Sequence, residues 1–147
     1  MSLRIKTPIS YFHKKRVEIA ASVDITTLLE GTWLAPSTAN GEAGKWIIVP
    51  AGGANYALPC WLDGIRPDVK AAGTVTVPFG EWEAFTTEFE RDPANFPTGV
   101  TAYAPQMTLT AKAGILAPAD TGEQVHAICV IPPDALTAGT EMYIVRL

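Results

Sequence analysis

Apolar and polar residues alternate along this chain in short runs, and glycine or proline cuts the runs roughly every ten residues, the rhythm of a β-domain with many turns. Residues 17–27 are rich in Val, Ile and Thr and predict one strand or two short ones. Gly31-Thr-Trp-Leu-Ala predicts another, ending at Pro36, and Lys45-Trp-Ile-Ile-Val a further one, closed by Pro50. After a turn at Ala51-Gly-Gly-Ala-Asn comes a strand over residues 56–62, then a turn over 63–68. Gly73-Thr-Val-Thr-Val-Pro alternates cleanly. In residues 81–90, Trp82, Phe85 and Phe89 fit helical spacing, yet Phe85-Thr-Thr-Glu-Phe also fits a strand, and a strand is the expectation.

The last third is the most regular. Met107-Thr-Leu-Thr alternates, Ala111-Lys-Ala-Gly114 turns and Ile115-Leu116 resumes. Asp120-Thr-Gly-Glu123 predicts a tight turn before the longest strand, residues 124–131, which Pro132 and Pro133 break. Residues 141–147 end the chain as a strand. Outside residues 81–90 no amphipathic helix of two turns is present, so the pattern predicts an all-β body, a small β-barrel or β-sandwich.

Composition adds bounds. At 147 residues, 48% apolar and 18% charged, the chain suits one globular domain with a real core. No apolar run approaches the roughly 18 residues a bilayer span needs, and no apolar stretch follows the basic start as a signal peptide requires. The expectation is a soluble protein made in a cytoplasm, with no membrane partner.

Charge is sorted unevenly. Arg4, Lys6, Lys14, Lys15 and Arg16 give the first sixteen residues +5 with no acid, and the other 131 residues carry −9, for a net −4. This predicts two parts: an extended basic N-terminal arm, residues 1–16, and a single β-rich domain, residues 17–147. Ile9, Tyr11 and Phe12 are interleaved with the charges and Pro8 opposes a helix, so the arm is expected to lie along a partner surface and to order only there. Arg4, Lys6, Ile9, Tyr11, Phe12, Lys14, Lys15 and Arg16 are the candidate contacts. An acidic body repels phosphate, which makes acidic protein and not nucleic acid the expected partner.

Reactive chemistry is sparse. His13 and His126 are the only histidines, too few for a histidine metal site, and no zinc spacing or phosphate loop occurs. No metal and no cofactor is expected. Cys60 and Cys129 lie in apolar runs and read as buried free thiols. Asp120-Thr-Gly matches the tripeptide that carries the carboxylate of aspartic proteases. Here, however, Ala117-Pro-Ala precedes it and Glu123 follows, which favours a hairpin turn over a catalyst. Trp33, Trp46, Trp61 and Trp82 sit among apolar or β-forming neighbours and are expected in the core, not on a sugar-binding platform.

Gly73-Thr-Val-Thr-Val, Phe96-Pro-Thr-Gly99, residues 107–116, residues 121–130 and Met142-Tyr-Ile-Val-Arg-Leu follow one another in an order that resembles the head decoration, or cement, proteins of tailed bacteriophages and their β-barrel relatives. The resemblance spans residues 73–147. It implies a structural protein without catalysis that sits on the capsid exterior after assembly in the host cytoplasm, grips the major capsid protein with its arm and stabilises the head. It also implies self-association, with a trimer matching lattice three-fold positions. A tail or head-tail accessory β-domain is the alternative within the virion, and a small aspartic-type protease the alternative outside it.

Overall fold

A computed structural model of the chain describes residues 3–7, 13–61 and 73–146. Its strands form two sheets, and the all-β expectation holds. One sheet has six strands, in the order β1 (Leu3–Ile5), β7 (Trp82–Thr86), β11 (Met142–Arg146), β10 (Ala127–Ile131), β8 (Thr108–Lys112) and β9 (Ile115–Pro118). The other has five: β5 (Leu58–Pro59), β3 (Trp33–Pro36), β4 (Lys45–Ile48), β2 (His13–Ile19) and β6 (Thr74–Phe79). All neighbours run antiparallel except β2 and β4. The five-stranded sheet curls almost shut, because Trp61, just past β5, donates its N–H to the Thr76 carbonyl of β6 at 2.8 Å.

Alternation along each strand separates two cores. Val17, Ile19, Leu34, Trp46, Leu58, Cys60, Val75 and Val77 fill the curled sheet. Leu3, Trp33, Ala35, Trp82, Leu109, Leu116, Met142 and Ile144 form the second core, between that sheet and the six-stranded one. β3 serves both: Trp33 and Ala35 belong to one core and Leu34 to the other, and none of the three is more than 3% exposed. Burying a side chain as large as Trp33 or Leu34 contributes about 1.5–3 kcal/mol each. Trp33, Trp46 and Trp82 are buried as the sequence suggests, Trp61 is partly buried, and both cysteines are buried and outside any disulfide.

The β8–β9 hairpin joins the sheets. Its two-residue turn, Ala113-Gly114, has both residues at positive φ (49° and 80°), the conformation that twists with the strands it connects. The tip docks on the other sheet, with Trp33 N–H donating to the Gly114 carbonyl at 2.8 Å and Ala113 N–H to the Pro50 carbonyl at 3.0 Å. A second clasp is Arg91. Its guanidinium donates to the carbonyls of Thr87, Thr137 and Thr140, fastening the loop before β11 to the segment after β7.

Three expectations are corrected. Residues 3–5 and 13–16 do not form a separate arm, because Leu3 is 1% exposed within the second core, β1 pairs with β7, and β2 runs unbroken from His13 to Ile19. The expected boundary between residues 16 and 17 falls inside a strand. Pairing of alternate backbone groups with β6 over residues 13–18 holds this segment, and its charges face water without needing a partner to order it. Secondly, of the one strand or two short ones expected over residues 17–27, strand ends at Ile19, and Ile25–Thr27 is a short 3-10 turn in which Asp24 Oδ1 caps the Thr26 N–H. Thirdly, β10 is not the longest strand. It has five residues against the seven of β2, because His126 ends the ladder early. Ala111 N–H, which a longer β10 would bond through Val125, donates instead to His126 Nδ1 at 2.9 Å. In residues 81–90, the strand reading holds for β7.

Gly114→Ala tests the docking of the hairpin. An added Cβ would stand 2.8 Å from Ile48 Cγ2 and 3.2 Å from Thr32 Cγ2, at a φ that L-residues resist. The expected cost is about 2–3 kcal/mol, strain and overpacking together. Gly122→Ala is the control: its φ is also positive but its Cβ would meet nothing within 4 Å, so about 1 kcal/mol is expected. Urea denaturation of both variants checks this, and equal losses would show that the tip is not seated on β3 and β4.

Candidate functional site

Strand β2 presents the densest charge among the described residues. His13, Lys14, Lys15 and Arg16 are all exposed, whereas Val17 and Ile19 on the same strand are buried. The switch has a cause in the sheet. β2 pairs with β6 from His13 to Glu18, but with β4 only at Glu18 and Ile19. The basic residues therefore occupy the part of the strand that runs past the start of β4.

Chain direction at β4 creates this overhang. β4 starts at Lys45 opposite Glu18, and Gly44 just before it has φ 81°, a left-handed conformation glycine adopts without strain. Gly41, also left-handed, and the bond from Ser37 N–H to the Lys45 carbonyl complete a bend that carries the chain off the sheet. On the opposite side Pro78 faces Lys14 in register. Ile19 N–H bonds to Gly73, so Val17, Lys15 and His13 face β6 as hydrogen-bonded pairs, and Pro78 falls at a position where β2 needs no N–H. The overhang is thus pinned along one edge by a full antiparallel ladder.

The other candidate residues are placed differently. Arg4 and Lys6 belong to the six-stranded sheet side. Arg4 bonds Glu141 at 3.3 Å and lies 4.5 Å from the Phe85 ring centroid, while Lys6 Nζ stands 5.8 Å from the same ring. Exposed pairs of this kind contribute little stability, but they occupy Arg4. Lys14 Nζ lies 5.6 Å from the Trp61 ring centroid. Ile9, Tyr11 and Phe12 lie outside the described residues. Among the described candidates, Arg4 and Lys6 therefore do not share a patch with Lys14, Lys15 and Arg16, since β1 and β2 stand in different sheets and the latter three are contiguous on one strand.

Asp120 is exposed in a turn. Its Oδ1 accepts Thr121 N–H at 2.8 Å and its own N–H donates to Glu123 Oε2 at 2.9 Å. Burial opposes ionisation of Glu123, but the Asp120 N–H and the ion pair with Lys112 outweigh it and hold the carboxyl below its ordinary range. Among the described residues no group of three or more His, Cys, Asp or Glu side chains is placed to hold a metal ion, and no helix is long and apolar enough to cross a membrane.

Sequence reasoning missed the burial of His126, which is 8% exposed. Its Nδ1 accepts from Ala111, so the proton sits on Nε2, which forms no hydrogen bond of normal geometry and is acted on by the backbone of Ala54. The Trp33 ring lies 6.3 Å away, and Thr110 Oγ1 3.5 Å from Nδ1. Burial, reinforced by the Arg146 charge, lowers the pKa of His126, with Ala54 opposing. Burial also raises Glu88, and raises the Cys129 thiol to about 11. One signal of the His126 arrangement was present in sequence: a lone polar residue at the head of an apolar run.

No protein-family model matches the chain, and no curated protein matches it.

His126 makes stability depend on pH. A depressed folded pKa favours the neutral ring, so its contribution is complete above the unfolded value of about 6.5 and is lost as pH falls through the folded pKa. Wild-type protein is expected to lose stability between pH 7.5 and pH 5, and His126→Ala to be less stable at pH 7.5 but nearly flat over the same interval. Urea melts at the two pH values check this, and a wild-type profile as flat as the variant's would contradict it.

Proposed function

We propose that this chain is a structural binding protein of a tailed-phage virion, a decoration protein that attaches to an acidic face of the major capsid protein through the basic overhang of β2. One observation carries the reading: four consecutive exposed residues, three of them cationic, stand on a strand that β6 holds rigid. A fixed strand presents its charges without the ordering cost a free arm would meet on binding. Complementary charge then sets registration on a partner and speeds encounter. The order of sequence signals over residues 73–147 supports the phage assignment, and a body with net negative charge argues for protein over nucleic acid as the target. On a capsid, contacts of modest strength repeat at every lattice site, so occupancy stabilises the shell by mass action.

Point substitution is the appropriate test. Deleting residues 2–16 would remove β1, the buried Leu3 and half of β2, and so would report folding and not binding. Lys15→Glu with Arg16→Glu alters exposed side chains only. Binding to purified phage heads is expected to fall roughly tenfold or more. The wild-type affinity should also weaken as salt shortens the Debye length from about 8 Å to about 3 Å at 1 M. The variant should lose that salt dependence while melting as the wild type does. Wild-type affinity in the double variant would overturn the reading, and binding confined to tails or to one vertex would replace decoration by a tail or head-tail role.

A further inference from the structure

The overhang of β2 offers backbone as well as charge. Ile19 N–H bonds to Gly73 on the β6 side, and Ala20 N–H bonds to Trp46 on the β4 side. Peptide groups of a strand alternate between its two edges, so Arg16 directs both its N–H and its carbonyl toward the β4 side. Among the described residues no backbone group meets them there. β4 would do so if it continued before Lys45, but the left-handed Gly44 and Gly41 turn the chain there, and among the described residues no strand pairs with β2 on this side before Glu18.

Edges of this kind are commonly blunted by lysine against pairing with a copy of the same chain. Here that protection is selective. Lys14, Lys15 and Arg16 repel an identical basic edge, and they attract an extended segment of opposite charge. Because side chains alternate faces, Lys15 stands on the face of Val17 and Arg16 on that of Glu18, so an added strand meets a cation on each of its own faces. A partner with acidic residues at consecutive positions matches that arrangement.

We infer that β2 is a strand-addition site: an extended acidic segment of a partner protein pairs with the edge at Arg16 on the β4 side, with the cations of Lys15 and Arg16 on its two faces. The inference rests on the reading that the basic overhang attaches to acidic protein, and it specifies how. Main-chain hydrogen bonds supply affinity in such an addition, and the flanking cations supply selectivity.

Three fluorescein-labelled peptides of eight residues, alternating Glu-Glu and Thr-Val pairs, separate backbone pairing from charge. One has ordinary amides, one is N-methylated at every second residue and so keeps one intact edge, and one is N-methylated throughout. All three carry the same charge. Fluorescence anisotropy with the full-length protein is expected to show binding of the first two, and at least tenfold weaker binding of the third. At saturation with the first peptide, exchange of the Arg16 amide is expected to slow about tenfold, with the Lys15 amide, already paired to β6, unchanged. Binding of the fully methylated peptide within twofold of the unmodified one would overturn strand addition and leave charge-driven attachment standing. Failure of all three to bind, even at low salt, would overturn both. A protein that dimerises through this edge, blocking the peptides, would make a second copy the occupant and equally refute the inference.

Discussion

Because Trp33 and Ala35 face the core beneath the six-stranded sheet while Leu34 between them faces the inside of the curled sheet, this stretch of β3 has no side left for solvent. A slip of β3 by one residue would put Trp33 where Leu34 fits and Leu34 in a space shaped for an indole. Register is therefore fixed from both sides. The turn at Ala113-Gly114 reinforces the choice, since its carbonyl takes the Trp33 N–H and its missing side chain lets Ile48 come close. The rest of the molecule hangs on this wall: β4 and β5 flank it in one sheet, and the hairpin of the other sheet ends on it.

The basic overhang follows from the same wall. β4 pairs with β3 along its length and with β2 only at the end, so the length of β4 that β3 can use decides how much of β2 is left uncovered. Gly44 fixes where the chain leaves. The exposed cations are consequently carried by the barrel itself, and their spacing is that of a strand. Attachment through such an element gains from preorganisation, and it makes binding sensitive to the fold in a way a loose tail would not be.

Much of this was legible in the chain. Alternation at residues 73–78 located β6, and alternation in Met107-Thr-Leu-Thr with the resumption at Ile115-Leu116 located β8 and β9, though the turn expected over 111–114 is confined to Ala113-Gly114. The terminal run located β11, and the fit of Phe85-Thr-Thr-Glu-Phe to a strand favoured β7 over a helix. The clustering of Lys14, Lys15 and Arg16 was visible as charge. What composition concealed was their setting. Four consecutive polar residues read as an arm, because alternation stops wherever both faces of a strand meet water, and only the pairing with β6 shows that residues 13–16 are sheet. Leu3 read as part of the same arm because a single buried leucine in a short edge strand leaves no periodic trace. β10 was overextended for the opposite reason: its apolar run continues past the point where the imidazole of His126 takes over a backbone partner. Nonlocal events of this kind have no signature within a short window of sequence.

If β3 ties the two cores into one cooperative unit, no part of either sheet can open without the other. Native-state hydrogen exchange across a denaturant series measures this directly, at the amides of Val17 and Val75 in the curled sheet, Leu34 in the shared wall, and Ala84 and Ile144 in the six-stranded sheet. The account predicts that the slowest-exchanging amides of both sheets converge on one opening free energy, with the same denaturant dependence. Curled-sheet amides that open at a distinctly lower free energy and a smaller denaturant slope, while Ala84 and Ile144 stay protected, would contradict it.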